Sequence, residues 1–166
     1  MNKAWIVSAM MCLSPVTFAD TELGFKGTLI ADPCIVDTDT EDQVVEMGTI
    51  GAKTFINHNR SAPKPFRLYL KECDLSLGST VSVTFSGAEE SQQPGTFAVT
   101  GGAEGVAIAL ENTDGTPVKP GEATAATGLT TGDTQLNYVA YVQASDFSKV
   151  KEGPFESRVI FFLEYE

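Results

Sequence analysis

The sequence predicts an all-β protein, a sandwich of short antiparallel strands. Apolar residues recur at every second position in several short runs, as in strands that bury one face. Turn-forming residues such as Asn112-Thr-Asp-Gly115 separate these runs, and no stretch predicts a helix. The chain has 166 residues, 42% of them hydrophobic. This length and composition suit a single domain with a buried core.

The first nineteen residues have the features of a secretory signal peptide. Lys3 supplies the positive charge, residues 4–13 form the apolar run, and Ala19 closes a cleavage site of small residues. The alternative is a buried N-terminal helix. The apolar run is too short to span a membrane, and no second one follows. We therefore expect export, cleavage after Ala19 and no membrane span in the mature chain.

Export determines how the cysteines are interpreted. Cys12 leaves with the signal peptide, so the mature chain keeps Cys34 and Cys73. In an oxidising compartment such a pair most simply forms a disulfide. The alternative is a metal site, which would need further soft ligands, and the only histidine is His58. We expect a disulfide and no metal or other cofactor.

The first strand of the mature chain is predicted at residues 20–31. One face carries an alternating set of side chains: Thr21, Leu23, Phe25, Gly27 and Leu29. A glycine within such a face marks a place where another backbone comes close. The alternative is that this segment is the first strand of an ordinary, complete sandwich.

Further strands follow along the chain, separated by loops. Residues 37–42 are predicted to be a solvated acidic loop, because Asp42 stands where a calcium loop requires glycine. A bulge near Glu72 is expected to turn Cys73 inward, and residues 116–133 form a long loop. The predicted strands are 43–47, 66–71, 80–86, 96–100, 106–110 and 135–142.

The last strand is predicted at residues 156–166. One face carries Val159, Phe161, Leu163 and Tyr165. No further strand follows in the sequence, so one edge of an apolar strand is expected to lack a partner. Exposed edges of this kind promote aggregation unless something covers them. Together the strands and turns predict a Greek-key, immunoglobulin-like sandwich.

Several classes of function are disfavoured by the composition. The formal charge is −11 without a cluster of Lys or Arg, which argues against nucleic acid. A nucleophilic triad would have to use His58, which lies in a polar loop. Nothing supports a catalytic pair among the surface carboxylates Glu89, Glu90 and Glu111. We expect a protein without catalytic residues.

The chain resembles the subunits of chaperone–usher pili, of the type 1 and P pilus kind, and more specifically a minor or adaptor pilin. The resemblance covers essentially the whole chain. It rests on the signal peptide, the alternating extension with Gly27, and the spacing of Cys34 and Cys73. It also rests on the run Pro65-Phe-Arg-Leu-Tyr-Leu-Lys-Glu-Cys73 and on penultimate Tyr165 with Gly153 upstream.

The resemblance implies an incomplete immunoglobulin-like sandwich that lacks its last strand and has a free N-terminal donor strand. A strand of a periplasmic chaperone fills the resulting groove. The extension of a neighbouring subunit then replaces it at an outer-membrane usher, and a surface pilus (fimbrium) grows. The donor strand would be 20–31, with Thr21, Leu23, Phe25, Gly27 and Leu29 inward, and the pilin domain would be 32–166. The groove and chaperone-binding residues would be Gly153, Val159, Phe161, Leu163, Tyr165 and the carboxylate of Glu166.

One feature departs from the family pattern. Ile160 and Phe162 lie on the outer face of the last strand, where the family usually carries polar residues. The favoured interpretation is cover by the loop 124–133, because large exposed apolar patches are uncommon. The other is a contact between subunits. The alternative function is a self-contained, secreted binding module that recognises a sugar or protein, with its N-terminal strand in its own sheet.

Overall fold

The computed structural model describes residues 23–29 and 31–166. The signal peptide and Thr21 lie outside these residues. The chain divides into residues 1–30 and 31–166, and the two units are described separately. Residues 23–29 form no strand, although a strand was predicted there, and Leu23, Phe25 and Leu29 are exposed. A strand requires a hydrogen-bonded neighbour, which a sequence pattern cannot supply by itself.

The larger sheet of the second unit is antiparallel. Its central strands are β2 (Lys64–Cys73), β9 (Gly132–Gln143) and β6 (Ala107–Asn112). Short strands flank them: β1 (Ile35–Val36), β4 (Phe97–Ala98) and β7 (Pro117–Val118). The order is β1-β2-β9-β6-β4, and β7 also pairs with β6.

The facing sheet has three strands in the order β11-β3-β8. They are β3 (Thr80–Ser86), β8 (Thr127–Gly128) and β11 (Ile160–Tyr165). A separate pair joins β5 (Thr100–Gly101) and β10 (Phe155–Glu156). Two one-turn helices, α1 (Thr38–Glu41) and α2 (Thr54–Asn57), and a 3₁₀ turn at Phe147–Lys149 complete the unit.

Aromatic side chains join the two sheets in the core. The ring of Phe85 on β3 packs edge-on against Tyr138 on β9, with 5.0 Å between centroids. Phe66 on β2 stacks on Tyr138 at 5.5 Å. Phe85 also contacts Phe161 on β11, with 6.4 Å between the ring centroids. Pro33, which precedes β1, lies beside Tyr165 at the end of β11, so β11 lies on the side of the sandwich where β1 forms the edge.

The strand order is that of an immunoglobulin sandwich with one strand missing. In that fold one sheet contains strands A, B, E and D, and the other contains C, F and G. Here β1, β2, β9 and β6 correspond to A, B, E and D, and β3 and β11 correspond to C and F. Among the residues that the structure describes, no strand occupies the position of G beside β11. The prediction of an incomplete immunoglobulin-like sandwich is confirmed.

The predicted disulfide and bulge are both present. Cys34 and Cys73 form a disulfide that ties the start of the unit to the end of β2. The pairing of β2 with β9 shifts register between Leu70 and Cys73, and Glu72 has φ +53°. This irregularity turns Cys73 into the core, where it is 3% exposed.

Other details of the predicted elements were wrong. The acidic segment 37–42 contains α1, because the carboxylate of Asp37 accepts a hydrogen bond from the Asp39 N–H at 2.9 Å and caps the turn. Residues 43–47 form no strand, and 96–100 splits into β4 and part of β5. The predicted loop 116–133 contains β7 and β8, which are too short for an alternating pattern to indicate.

The prediction that the loop 124–133 covers the outer face of β11 was also wrong. Ile160 and Phe162 are 60% and 57% exposed. The loop that was expected to cover them pairs with the far side of β3: Thr127 lies opposite Val81, and the Thr124 N–H donates to the Val83 carbonyl at 2.9 Å. Because β3 separates this loop from β11, the loop cannot reach Phe162.

Candidate functional site

The last strand has one unpaired edge. β11 pairs with β3 from Ile160 opposite Ser86 to Tyr165 opposite Val81. Glu166 and Thr80 exchange two backbone hydrogen bonds, at 3.1 and 3.0 Å. Hydrogen bonding alternates along an antiparallel strand, so the backbone groups of Tyr165 and of alternate residues before it point away from β3. Within the described residues no strand pairs with this edge. It can therefore accept an added strand.

The inward side chains of β11 are less buried than those of the adjacent strand. On β3, Val81 and Val83 are 1% exposed and Phe85 is 3% exposed. The corresponding residues at the end of the chain pack against the same core but are only half-buried: Val159, Phe161, Leu163 and Tyr165. The core is therefore shielded from solvent at β3 and partly exposed to solvent at β11.

A second segment forms the other wall of this opening. From β1 onwards the chain carries half-buried hydrophobic residues that pack against the core: Val36, Val45, Met47 and Ile50. A Cβ added to Gly78 would lie 2.8 Å from Pro33 Cγ and 3.6 Å from Tyr165 Cβ, so Pro33 and Tyr165 are neighbours. At the opposite end Ile50 and Gly153 line one cavity. The segment 33–50 thus lies beside β11 at one end and reaches the cavity at Gly153 at the other.

We call this opening the β11 groove, and its two ends the Cys34 end and the Gly153 end. The wall from Val159 to Tyr165 contains seven residues, which span about 20 Å at a rise of about 3.3 Å per residue. The Gly153 end contains a cavity of about 80 Å³. Its lining is mainly apolar and includes Ile50, Phe55, Val106, Val142, Val150 and Phe155.

One polar group within the groove has no partner. The hydroxyl of Tyr165 is buried and makes no hydrogen bond with any described residue. Burial raises the pKa of Tyr165, and the negative charge of Asp32 raises it further. An unpaired buried hydroxyl costs about 1–3 kcal/mol.

The comparisons with known proteins agree with this geometry. The family model described as "Fimbrial protein" matches residues 23–166. The chain belongs to the fimbrial protein family. The Fimbria A protein of Serratia marcescens is 36% identical over 143 residues, 86% of this chain and 82% of that protein. The Major MR/P fimbria protein of Proteus mirabilis is 32% identical, with the same coverage.

Solved structures of fimbrial proteins share the fold. The P pilus rod subunit PapA aligns with a TM-score of 0.73 and 25% identity, over 81% of this chain and 100% of that one. A type I fimbria protein of Burkholderia pseudomallei aligns with a TM-score of 0.62 and 30% identity, over 80% of this chain and 89% of that one. This fimbrial chain is a structural, non-enzymatic subunit of a chaperone–usher pilus, exported to the cell surface. Such subunits assemble with neighbouring subunits through a periplasmic chaperone and an outer-membrane usher.

The structure brings together most of the groove residues predicted for this fimbrial subunit. Val159, Phe161, Leu163 and Tyr165 line one wall, and Gly153 lies at one end. Glu166 follows β11, and its carbonyl accepts backbone hydrogen bonds from Ser79 and Thr80 at 2.7 and 3.0 Å. The wall formed by residues 36–50 was missed. The alternation of Val45 and Met47 was its only signal in the sequence.

The expected donor residues lie in the other unit of the fimbrial chain. Leu23, Phe25 and Leu29 are exposed, and a Cβ at Gly27 would contact nothing within 4 Å. The alternative function, a self-contained binding module, required this segment as a strand, and residues 23–29 form none.

The described residues contain neither a membrane-spanning helix nor a metal site. No described helix is long and apolar enough to cross a membrane. Among the described side chains, no group of three or more His, Cys, Asp or Glu is arranged to hold a metal ion.

Proposed function

We propose that residues 20–31 are the donor strand of this subunit, and that its β11 groove receives the donor strand of a neighbouring subunit. Addition of a strand to an exposed sheet edge is an established mode of recognition, and pilin complementation is a known case of it. The observation that carries the proposal is the half-buried inward face of β11 beside an unpaired backbone edge.

The donor segment suits the groove in length and in pattern. Leu23 to Leu29 is a run of seven residues, as is Val159 to Tyr165. Leu23, Phe25 and Leu29 lie at alternate positions of the donor, so these three side chains face the groove when its backbone pairs with β11. Full burial of each contributes about 1.5–3 kcal/mol. Burial of Leu23, Phe25 and Leu29 together therefore stabilises the pair by several kcal/mol.

The direction of the added strand follows from the fold. The missing strand of the sandwich is antiparallel to its neighbour. β11 runs from the Gly153 end to the Cys34 end, so the donor strand runs the other way. Leu29 then lies at the apolar cavity of the Gly153 end, and Leu23 lies towards Tyr165. Gly27 leaves room on the donor for a large side chain of the groove wall.

The position of the subunit in the pilus stays a prediction. A minor or adaptor subunit accepts the extension of a different subunit, whereas a rod subunit accepts the extension of its own copies. The relatives of this chain include both a major fimbria protein and a putative minor fimbrial subunit. Assembly of the mature chain by itself distinguishes the two roles.

Two variants of the mature chain test the donor assignment. Phe25→Asp places a charge on the face that enters the groove, whereas Thr28→Asp places the same charge on the opposite face. Polymers are measured by size-exclusion chromatography with light scattering. We expect Phe25→Asp to abolish polymer formation and Thr28→Asp to preserve it.

An adaptor would stay monomeric by itself, and the same two variants are then compared for joining to a neighbouring subunit. Equal assembly of both variants would contradict the donor assignment.

A further inference from the structure

Exposed hydrophobic side chains of residues 31–166 occur at both ends of the β11 groove. At the Cys34 end, Leu75 and Leu77 are 40% and 53% exposed in the loop between β2 and β3. At the Gly153 end, Ile56 and Phe147 are 55% and 41% exposed. Exposed apolar groups that cluster on a soluble protein usually mark a contact with another molecule.

Hydrogen bonds and cavity contacts fix these positions. Asp74, at the start of the Leu75 loop, donates its N–H to the Pro33 carbonyl at 2.8 Å. The far end of the loop is held as well, since Ser79 donates to the Glu166 carbonyl at 2.7 Å. At the Gly153 end, Ile56 follows Phe55, which lines the cavity, and the turn that contains Phe147 leads into Val150, which also lines it.

The donor strand brings these two ends together when two copies assemble. This step rests on the proposed function. With Leu29 of one copy at the Gly153 end of the next, residues 30–32 alone separate Leu29 from Pro33 of its own body. Four residue steps span at most about 14 Å. The Cys34 end of the copy that supplies the donor is therefore held close to the Gly153 end of the copy that accepts it.

The two ends differ in charge. Asp32, Glu72 and Asp74 lie at the Cys34 end, where Lys71 is paired with Asp37. The Gly153 end carries Lys53, Lys149 and Lys151 together with four carboxylates, those of Glu90, Glu104, Asp146 and Glu152. Lys151 pairs with Glu104 at 2.6 Å, whereas Lys53 and Lys149 make no ion pair with any described residue. Because Lys149 lines the same cavity as Glu90 and Asp146, Lys53 is the lysine that remains available to an acidic partner surface.

The Leu75 loop is held in one conformation before any contact forms. Asp74 Oδ1 accepts hydrogen bonds from the Ser76 N–H and hydroxyl at 2.9 and 2.7 Å. Gly78 packs so closely that a Cβ there would lie 2.8 Å from Pro33 Cγ. A loop that is ordered in advance loses little conformational entropy when it binds.

We propose that two assembled copies of this chain share a second contact besides the donor strand. Leu75 and Leu77 of the copy that supplies the donor pack on Ile56 and Phe147 of the copy that accepts it. The carboxylates around Asp74 face Lys53 across this junction. The contact restricts the angle between successive subunits, which the short linker alone leaves free.

Disulfide trapping in the full mature chain tests this junction. One double variant carries Leu77→Cys and Phe147→Cys, and the control carries Phe162→Cys and Phe147→Cys. Leu77 and Phe162 are matched in exposure, at 53% and 57%. After mild oxidation the samples are heated in denaturant without reductant and separated by size. We expect a ladder of covalent oligomers from the first variant and monomers from the control.

A second measurement separates the junction from the donor strand. A synthetic peptide of residues 20–31 occupies the groove but lacks the Leu75 loop, so a rise in the unfolding midpoint of the mature chain reports groove binding alone. A rise without a ladder would overturn the junction and leave the donor strand intact. No rise and no ladder would overturn the junction between copies and would show that the groove does not accept this donor strand. Ladders from both variants would indicate unspecific collisions and would also overturn the junction.

Discussion

At Gly153 the backbone lies so close to Gly102 that no side chain fits. A Cβ at this position would lie 2.4 Å from the Gly102 carbonyl carbon. Nearby, a Cβ at Gly105 would lie 2.3 Å from the Lys149 carbonyl oxygen, and Gly105 has φ +73°. The two contacts hold residues 149–153 against 102–105. The glycines therefore shape the apolar cavity at one end of the β11 groove.

We expect Gly153→Ala to destabilise the subunit by about 1–3 kcal/mol, the usual cost of forcing an extra methyl group into a packed site. Gly128→Ala is the matched control, because a Cβ at Gly128 would meet nothing within 4 Å and its φ is not positive. Urea unfolding of both variants measures the difference. Equal stability of the two would show that the contact at Gly153 is relaxed in solution.

A prediction for pH concerns Asp74. Hydrogen bonds from the Ser76 hydroxyl and N–H lower the pKa of this carboxyl below its ordinary value of 3.8. A lowered folded-state pKa stabilises the protein at pH values above the unfolded-state pKa, and this contribution is lost as the pH falls through the folded value. We expect Asp74→Asn to be less stable than the unmodified chain at pH 6, and the difference to shrink towards pH 3. A difference that stays constant with pH would contradict this assignment.

At the scale of elements, β11 presents three different surfaces. Its inward face lines the groove, its free edge offers backbone hydrogen bonds, and its outward face exposes Ile160 and Phe162. The period-two pattern predicted the strand and its inward face, because alternation reflects burial directly. It could not predict whether a loop covers Phe162, because that depends on which edge of β3 pairs with the loop 124–133. The wall formed by residues 36–50 was missed for a similar reason, since it is a half-buried segment without a strand.

Adjacent phenylalanines on β11 give a matched comparison. Phe161 packs against Phe85 and the core, whereas Phe162 is mostly exposed. We expect Phe161→Ala to destabilise the subunit by about 2 kcal/mol or more, and Phe162→Ala to change the stability by about 0.5 kcal/mol or less. Denaturant unfolding measures both. A large loss for Phe162→Ala would mean that another part of the chain covers its outer face.

At the scale of the whole molecule, residues 31–166 form a sandwich that lacks one strand and is held at one end by a disulfide. Cys34 and Cys73 are 39 residues apart in sequence. Their bond ties Pro33, and with it the start of the second groove wall, to the end of β2. The open groove and the disulfide at the Cys34 end together indicate a protein that reaches full stability only after a partner adds the missing strand.

Replacement of both cysteines by serine tests the role of the disulfide at the Cys34 end. We expect the free energy of unfolding to fall by about 2–5 kcal/mol, as for other native disulfides in small secreted domains. The donor peptide should also bind more weakly, because the wall that begins at Pro33 loses its anchor. Stability is measured by urea unfolding and binding by titration. Unchanged peptide binding would show that the disulfide does not affect the groove wall.

The most direct test of the central claim is the unfolding midpoint of a chain beginning at Asp32, measured with and without a peptide of residues 20–31. Burial of three large apolar side chains predicts a rise of about 10 °C with the peptide, and none with a Phe25→Asp peptide. If the extension of another subunit raises the unfolding midpoint and this peptide does not, the result would indicate an adaptor. A stable monomer that responds to no peptide would mean that the sandwich is already complete, and the account of an open groove would be wrong.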